Sequence, residues 1–233
     1  MKPIIGVIST PDYDIDKDRN FLVRFEIVEW ISKCGGIPIS IIPTKICNYF
    51  DKKEKNRQTT IQELNNLKQI LRMCDGFIKP GGNMIVDYHK YIYKYSIDND
   101  IPFLGICLGM QSMAYAIEEN ARLVDNNSEI VHKTKKLNAH EILIDENSKL
   151  YSILGKKSLI VNSRHNRHIE NVNNLLVSAK SLDNQIEALE NPNCTYSIGL
   201  QWHPESYDFN NQDSKNIFES FIESSIQYTK TKK

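Results

Sequence analysis

Three groups of residues have the types and spacing for chemistry. The first is Cys107, within Gly105-Ile106-Cys107-Leu108-Gly109-Met110-Gln111. An apolar run from Ile101 to Leu104 leads in and a helical pattern from Gln111 to Glu118 leads out. The stretch therefore reads as a strand–turn–helix nucleophile elbow, with cysteine where many hydrolases carry serine. Its sulfur would sit at the carboxyl end of a sheet, where open α/β sheets bind ligands, and at a helix N-terminus that favours thiolate. The second group is His203 with Glu205. Of the six histidines, only His203 ends a strongly apolar strand pattern, Tyr196 to Trp202, and has a carboxylate two residues on. In an extended segment both side chains would project to one side, so Glu205 could hold the imidazole in the tautomer that accepts the thiol proton. The third is Pro80-Gly81-Gly82. Acyl transfer at a thiol needs donors for the oxyanion, and the backbone N–H groups of Gly82 and Leu108 fit that role.

The elements that must position these groups follow from hydrophobic spacing. Pro3 to Ser9, Ile37 to Ile42, Asp75 to Lys79 and Pro102 to Leu104 read as buried strands. Residues 21–34, 60–73 and 86–98 read as helices, the first with Phe21, Phe25, Val28 and Ile31 on one face and Gly35-Gly36 as its stop. Thr10 to Asn20 reads as an Asp-rich loop and residues 43–58 as a polar surface loop. Strand–helix alternation predicts an α/β fold with a doubly wound, mostly parallel sheet. The second half is less regular: His140 to Ile144, Ser158 to Val161, Leu175 to Ala179, Gln185 to Leu189 and Tyr196 to Trp202 are short strand candidates. Residues 213–228 form a closing helix, and Thr229 to Lys233 a frayed tail.

Composition sets the outer bounds. The 233 residues suit a single domain spanning 1–233. With 29 basic and 29 acidic residues the formal net charge is +0, so no global field recruits nucleic acid or an anionic membrane. No apolar run approaches the ~20 residues that span a bilayer, and the N-terminus reads as a strand rather than a signal peptide. Five cysteines, odd in number and widely spaced, give no C-x-x-C pair. The expected setting is reducing and cytoplasmic, without a metal or a cofactor.

Gly105 to Gln111, Pro80-Gly81-Gly82 and Gly199-Leu200-Gln201-Trp202-His203-Pro204-Glu205 resemble the three signatures of class I glutamine amidotransferases. Within that superfamily the chain is similar to the γ-glutamyl hydrolase branch, peptidase family C26. Lys2-Pro3-Ile4-Ile5-Gly6-Val7, Val161-Asn162-Ser163-x-His165 and Asp183-Asn184-Gln185-Ile186-Glu187-Ala188 resemble further segments of that branch. The resemblance implies a cysteine-dependent hydrolase of γ-glutamyl amides. Cys107 is the nucleophile, His203 the base and then the acid, Glu205 its orienting partner, and Gly82 and Leu108 the oxyanion donors. Gly81 and Gln111 would hold the glutamyl end, although Gln111 could equally cap the elbow helix.

Two departures bear on substrate. The run from Gly82 to Cys107 lacks the long insertion many members carry. The family loop V-N-S-x-H-H-Q here reads Asn162-Ser163-Arg164-His165-Asn166-Arg167-His168. Two guanidiniums and two imidazoles so close together could clamp an anionic leaving group. Asn162, Ser163, Arg164, His165 and Arg167 are therefore expected to bind substrate, and a phosphate-bearing γ-glutamyl-CDP-amidate is one fitting type. The expected partners are a small-molecule γ-glutamyl substrate and a second copy of the chain. The alternative is a glutaminase subunit that delivers ammonia to a separate synthase; a non-catalytic relative is disfavoured because all three triad residues are kept. Asp12, Asp14, Asp16 and Asp18 read as a solvated acidic loop, the alternative being that they attract a cation or an amine. His132 with Lys133, Lys135 and Lys136 reads as a surface patch. Cys34, Cys47, Cys74 and Cys194 read as inert.

Overall fold

The computed structural model describes residues 1–14, 16–44 and 59–232. In chain order the strands and helices begin with β1 (Ile4–Ile8), β2 (Thr10–Tyr13), β3 (Arg19–Leu22), α1 (Phe25–Lys33), β4 (Ile37–Ile41), α2 (Ile61–Leu71) and β5 (Gly76–Lys79). They continue with α3 (Asp87–Asp98), β6 (Phe103–Ile106), α4 (Leu108–Ile117), β7 (Arg122–Asp125), β8 (His140–Ile144), α5 (Lys149–Leu154) and β9 (Ser158–Val161). The last are β10 (Arg167–Glu170), β11 (Leu176–Ser181), β12 (Ile186–Glu190), β13 (Ser197–Leu200), a 3₁₀ turn at Pro204–Ser206, and α6 (Gln212–Thr231).

A nine-stranded sheet runs in the order β4-β1-β5-β6-β13-β12-β11-β8-β9. β4, β1, β5, β6 and β13 pair in parallel, and the remaining pairings are antiparallel. Only β12 and β8 run against the common direction, so the doubly wound, mostly parallel α/β sheet is present. Side chains alternate across it. Ile5, Val7, Ile78 and Leu104 pack on one face with α1, α5 and α6, while Ile8, Phe77 and Phe103 pack on the other with α2, α3 and α4. Burial on both faces explains the uninterrupted apolar runs of these strands. Among the described residues, no helix is long and apolar enough to cross a membrane.

Several expectations need correction. Thr10 to Asn20 is not a plain loop, because Thr10–Tyr13 and Arg19–Leu22 pair as a hairpin. Asp14 organises its tip by accepting from the backbone N–H groups of Asp16 at 3.0 Å and Asp18 at 2.8 Å. Phe21 therefore belongs to β3, and α1 starts at Phe25; it buries the expected Ile31, together with Ile27 and Trp30. Phe25 is exposed, since the buried stripe runs through Ile27, Trp30 and Ile31 and leaves the first helical residue outside it. The Thr229–Lys232 segment is anchored rather than frayed. α6 continues to Thr231, and Lys232 Nζ donates to Cys74 O at 2.9 Å and Asp75 Oδ1 at 3.1 Å. The polar loop placed at 43–58 lies almost wholly outside the described residues, as does Cys47. α5, β7 and β10 had no counterpart in the spacing analysis, because elements this short carry too few periods to be read.

Candidate active site

The elbow is set by steric necessity. β6 is fully buried, and Cys107 follows it with φ 52° and ψ −104°, a conformation an L-residue adopts only when its surroundings impose it. A Cβ on Gly109 would lie 2.0 Å from the carbonyl oxygen of Lys79, and one on Gly105 would lie 2.8 Å from the carbonyl carbon of Gly109. Any side chain there would push the turn off β5. The Cys107 N–H donates to Leu200 O at 2.7 Å, which pins the elbow to the neighbouring β13. Leu108 opens α4, so its N–H is among those without an acceptor inside the helix.

His203 and Glu205 meet through a device other than the one expected. They do not sit on an extended strand, because Pro204–Ser206 turns as a 3₁₀ helix. That turn still brings His203 Nδ1 to 2.7 Å from Glu205 Oε1, with both side chains buried. Nδ1–H donating to the carboxylate leaves Nε2 for the thiol. Burial lowers the imidazole's pKa, but the Glu205 charge, the hydrogen bond to Cys107 and the hydrogen bond to Glu205 outweigh it and raise it to about 10. The triad Cys107–His203–Glu205 is thus assembled in space. Cys34, Cys74 and Cys194 differ: burial pushes their thiols up to about 11, about 12 and about 11, which suits inert side chains.

Cys107, His203, Pro80, Gly81 and Gly82 line a cavity of about 360 Å³, closed by Thr10, Asp12, Leu22, Val23, Arg24, Asn83 and Arg164. A Cβ on Gly81 would come within 3.0 Å of His203 Cε1, and one on Gly82 within 2.7 Å of Thr10 Cγ2, so the turn is as close to the site as glycine permits. Below it Lys79 is fully buried and donates from Nζ to Thr10 Oγ1 and Pro80 O, both at 2.8 Å. Burial lowers its pKa to about 7, opposed by attraction to Cys107. A larger depression of about 640 Å³, between β10 and the β11–β12 hairpin, includes neither Cys107 nor His203.

The loop after β9 brings one of its expected substrate-binding residues to the cavity. Asn162, Ser163 and His165 are buried, and of the loop only Arg164 lines the cavity. The backbone here is extended, with Arg164 bridged to Lys133, so alternate side chains point opposite ways. Asn162 is fully buried and holds the His203 backbone. Its Oδ1 accepts from His203 N at 2.9 Å and its Nδ2 donates to His203 O at 2.8 Å, a two-point grip on that histidine. Ser163 donates to His132 O at 2.7 Å. The Arg167 side chain is exposed, and its carbonyl accepts from Gln111 Nε2 at 3.1 Å. Gln111 is itself buried and also donates to Gln201 Oε1 at 3.0 Å, so it braces the elbow and does not line the cavity. Gln201, fully buried, donates from Nε2 to Cys107 Sγ at 3.5 Å. His132 is buried, not part of a surface patch.

Sequence reasoning gave no role to Gln201, although its two-residue offset from His203 in an apolar strand was a usable signal. Nor did it place Asp12 and Arg24 in the cavity. They arrive on the β2–β3 hairpin and the segment leading into α1, and no local pattern announces that approach.

A family model for Peptidase C26 matches residues 87–205, just over half of the chain. The γ-glutamyl-γ-aminobutyrate hydrolase of Escherichia coli is 26% identical, over 94% of this chain and 92% of its own length. The CTP synthase of Lactobacillus johnsonii is 30% identical over 74% of this chain, which spans only 38% of that enzyme. Among solved structures, the glutaminase domain of Trypanosoma brucei CTPS with bound acivicin superposes with a TM-score of 0.61 at 16% identity, covering 97% of this chain and 94% of that one. With the elbow, the paired histidine and glutamate and the class I glutamine amidotransferase fold in place, this chain belongs to the Peptidase C26 family.

Proposed function

We propose that this chain hydrolyses a γ-glutamyl amide through a γ-glutamyl thioester on Cys107, releasing glutamate and an amine. The observation that carries the reading is the triad opening on the Pro80–Gly82 turn of the cavity. His203 Nε2 takes the thiol proton, and Cys107 Sγ attacks the γ-carbonyl carbon. The oxyanion faces the N–H groups of Gly82 and Leu108. Collapse breaks the C–N bond, and the amine leaves with the proton held by His203. Water, deprotonated by the same imidazole, then attacks the thioester, and Cys107 leaves as thiolate. Resemblance to the γ-glutamyl-γ-aminobutyrate hydrolase supports this reading.

Charges in the cavity suit the substrate. Asp12 is placed to receive the α-ammonium of a glutamyl group, and Arg24 and Arg164 its carboxylate or an anionic leaving group, a phosphate-bearing one such as γ-glutamyl-CDP-amidate included. A thiol nucleophile suits a reducing compartment, and the cytoplasm is the setting we propose. The test is glutamate release from a panel of γ-glutamyl amides, with Cys107→Ala as control. Release that persists in Cys107→Ala refutes the mechanism.

Similarity to CTP synthases favours a second reading, in which the chain hydrolyses glutamine and passes ammonia to a separate synthase. Glutamine hydrolysis that rises at least tenfold only when a synthase is added would select it over the free-standing hydrolase.

A further inference from the structure

Away from the catalytic triad, four buried side chains converge on one point. They are His132 from the loop before β8, His140 from β8, His165 from the extended segment after β9, and Glu187 from β12, and one ligand atom of each lies within 4.8 Å of the others. We propose that this cluster is a structural divalent-metal site that takes zinc.

Several independent observations support the assignment. His132 Nδ1, His140 Nε2, His165 Nε2 and both oxygens of Glu187 are buried without a hydrogen-bond partner. Polar atoms are seldom left so, because each forfeits its hydration for nothing. The separations suit a shared cation better than direct hydrogen bonds. Glu187 Oε1 lies 3.4 Å from His132 Nδ1, 3.5 Å from His140 Nε2 and 3.6 Å from His165 Nε2. An N–H···O bond is ordinarily about 2.9 Å, whereas ligands about 2.0–2.1 Å from a tetrahedral zinc stand about 3.4 Å apart.

The outer nitrogens complete the pattern. His132 Nε2 meets Asp183 Oδ2 at 2.9 Å, His140 Nδ1 meets Glu141 O at 3.3 Å, and His165 Nδ1 meets Arg167 O at 3.2 Å. A metal-bound imidazole is held this way, its far N–H given to a carboxylate or carbonyl so that the near nitrogen presents its lone pair. Asp183 is fixed in turn by hydrogen bonds from Ser181 Oγ and Gln185 Nε2. Three imidazoles and a carboxylate suit zinc among the common cations, and four protein ligands close the shell, which marks a structural rather than a catalytic ion.

The site would fasten the shelf beneath the triad. His165 N and Ser163 Oγ both donate to His132 O, so the ion locks the segment that carries Asn162, the residue gripping His203. The Arg167 carbonyl that meets His165 also accepts from Gln111, which donates to Gln201, which donates to Cys107 Sγ. Gln201 N donates to Glu187 O at 2.7 Å. None of this depends on the identity of the substrate.

The test uses the untagged full chain, expressed with zinc and passed through gel filtration before elemental analysis. About one zinc per chain is expected. His140→Ala and Glu187→Gln should each lower that content at least tenfold, while His168→Ala, outside the cluster, should retain it. In parallel, the wild-type protein is unfolded in guanidinium with EDTA, desalted and refolded with or without zinc. The zinc-refolded protein should melt several degrees higher, and cobalt(II) in its place should give the visible bands of a tetrahedral N,O site. Less than a tenth of an equivalent of zinc with no change in melting on zinc addition overturns the proposal. So does zinc content unchanged in both cluster variants. The refolding arm decides the matter if those variants do not fold.

Discussion

Replacing Glu205 with glutamine keeps the side-chain size and removes one charge from the triad. Glu205 Oε1 receives the His203 Nδ1 proton at 2.7 Å, and Oε2 is buried without a partner. A glutamine there must either bury an unpaired amide NH₂ or turn that NH₂ toward Nδ1. The second choice selects the tautomer with its proton on Nε2, which cannot accept from Cys107. The magnitude follows from the pKa. His203 stands at about 10 against an ordinary 6.5, with the Glu205 charge the largest influence raising it. That gap is worth on the order of 5 kcal/mol at about 1.4 kcal/mol per pKa unit. If Glu205 supplies half of it, kcat/KM falls about 10²-fold, and a full tautomer switch takes the loss toward ~10⁴-fold. The imidazolium should also lose its proton at lower pH, moving the alkaline limb of kcat/KM down by at least about one pH unit. Glutamate release followed from pH 6 to pH 10, beside the rate of Cys107 alkylation by iodoacetamide, measures both effects. Activity within about threefold of wild type and an unmoved alkaline limb would refute the role given to Glu205.

Two further outcomes can be measured. Arg164→Ala should raise KM at least about tenfold for a γ-glutamyl amide with a phosphate-bearing leaving group, while Arg167→Ala should leave it within about twofold, because Arg164 lines the cavity and Arg167 does not; equal effects of the two variants would contradict that geometry. Lys79→Met should change the pH dependence of stability. Burial holds the folded lysine at about 7 against 10.5 unfolded, so between those values the unfolded chain binds a proton that the folded chain lacks. Wild-type unfolding free energy therefore gains from this group as pH rises from 7 to 10.5, by at most about 1.4 kcal/mol per pH unit, and the full penalty is present below pH 7. Urea titrations should find Lys79→Met most favoured relative to wild type at pH 7 and least at pH 10; an equal difference at both pH values would count against a buried neutral lysine.

Much of the site was legible before any fold was known because its parts are local. Gly105 and Gly109 flank Cys107 because a Cβ on the first would strike α4 and one on the second would strike β5, and a steric demand of that kind is written at adjacent positions. His203 and Glu205 are two residues apart, and either an extended segment or a 3₁₀ turn brings them together. The sheet strands that carry these residues are buried on both faces, so their apolar runs stand out. The placement of the loop Asn162 to His168 was not legible, for the opposite reason. Its charge count is local, but which side of an extended segment faces the cavity depends on the Lys133–Arg164 bridge, and that joins distant parts of the chain.

The sequence by itself determined the doubly wound sheet and singled out Cys107, His203 and the Pro80–Gly82 turn as the candidate site, because short-range sterics and periodicity govern both. Only the tertiary structure decided which residues surround them. Asn162 reaches His203 across 41 positions and Gln201 reaches Cys107 across 94. His132, His140, His165 and Glu187 share no motif spacing, since each comes from a different segment. Their convergence is a property of where strands lie in a sheet, and no window of the chain contains it.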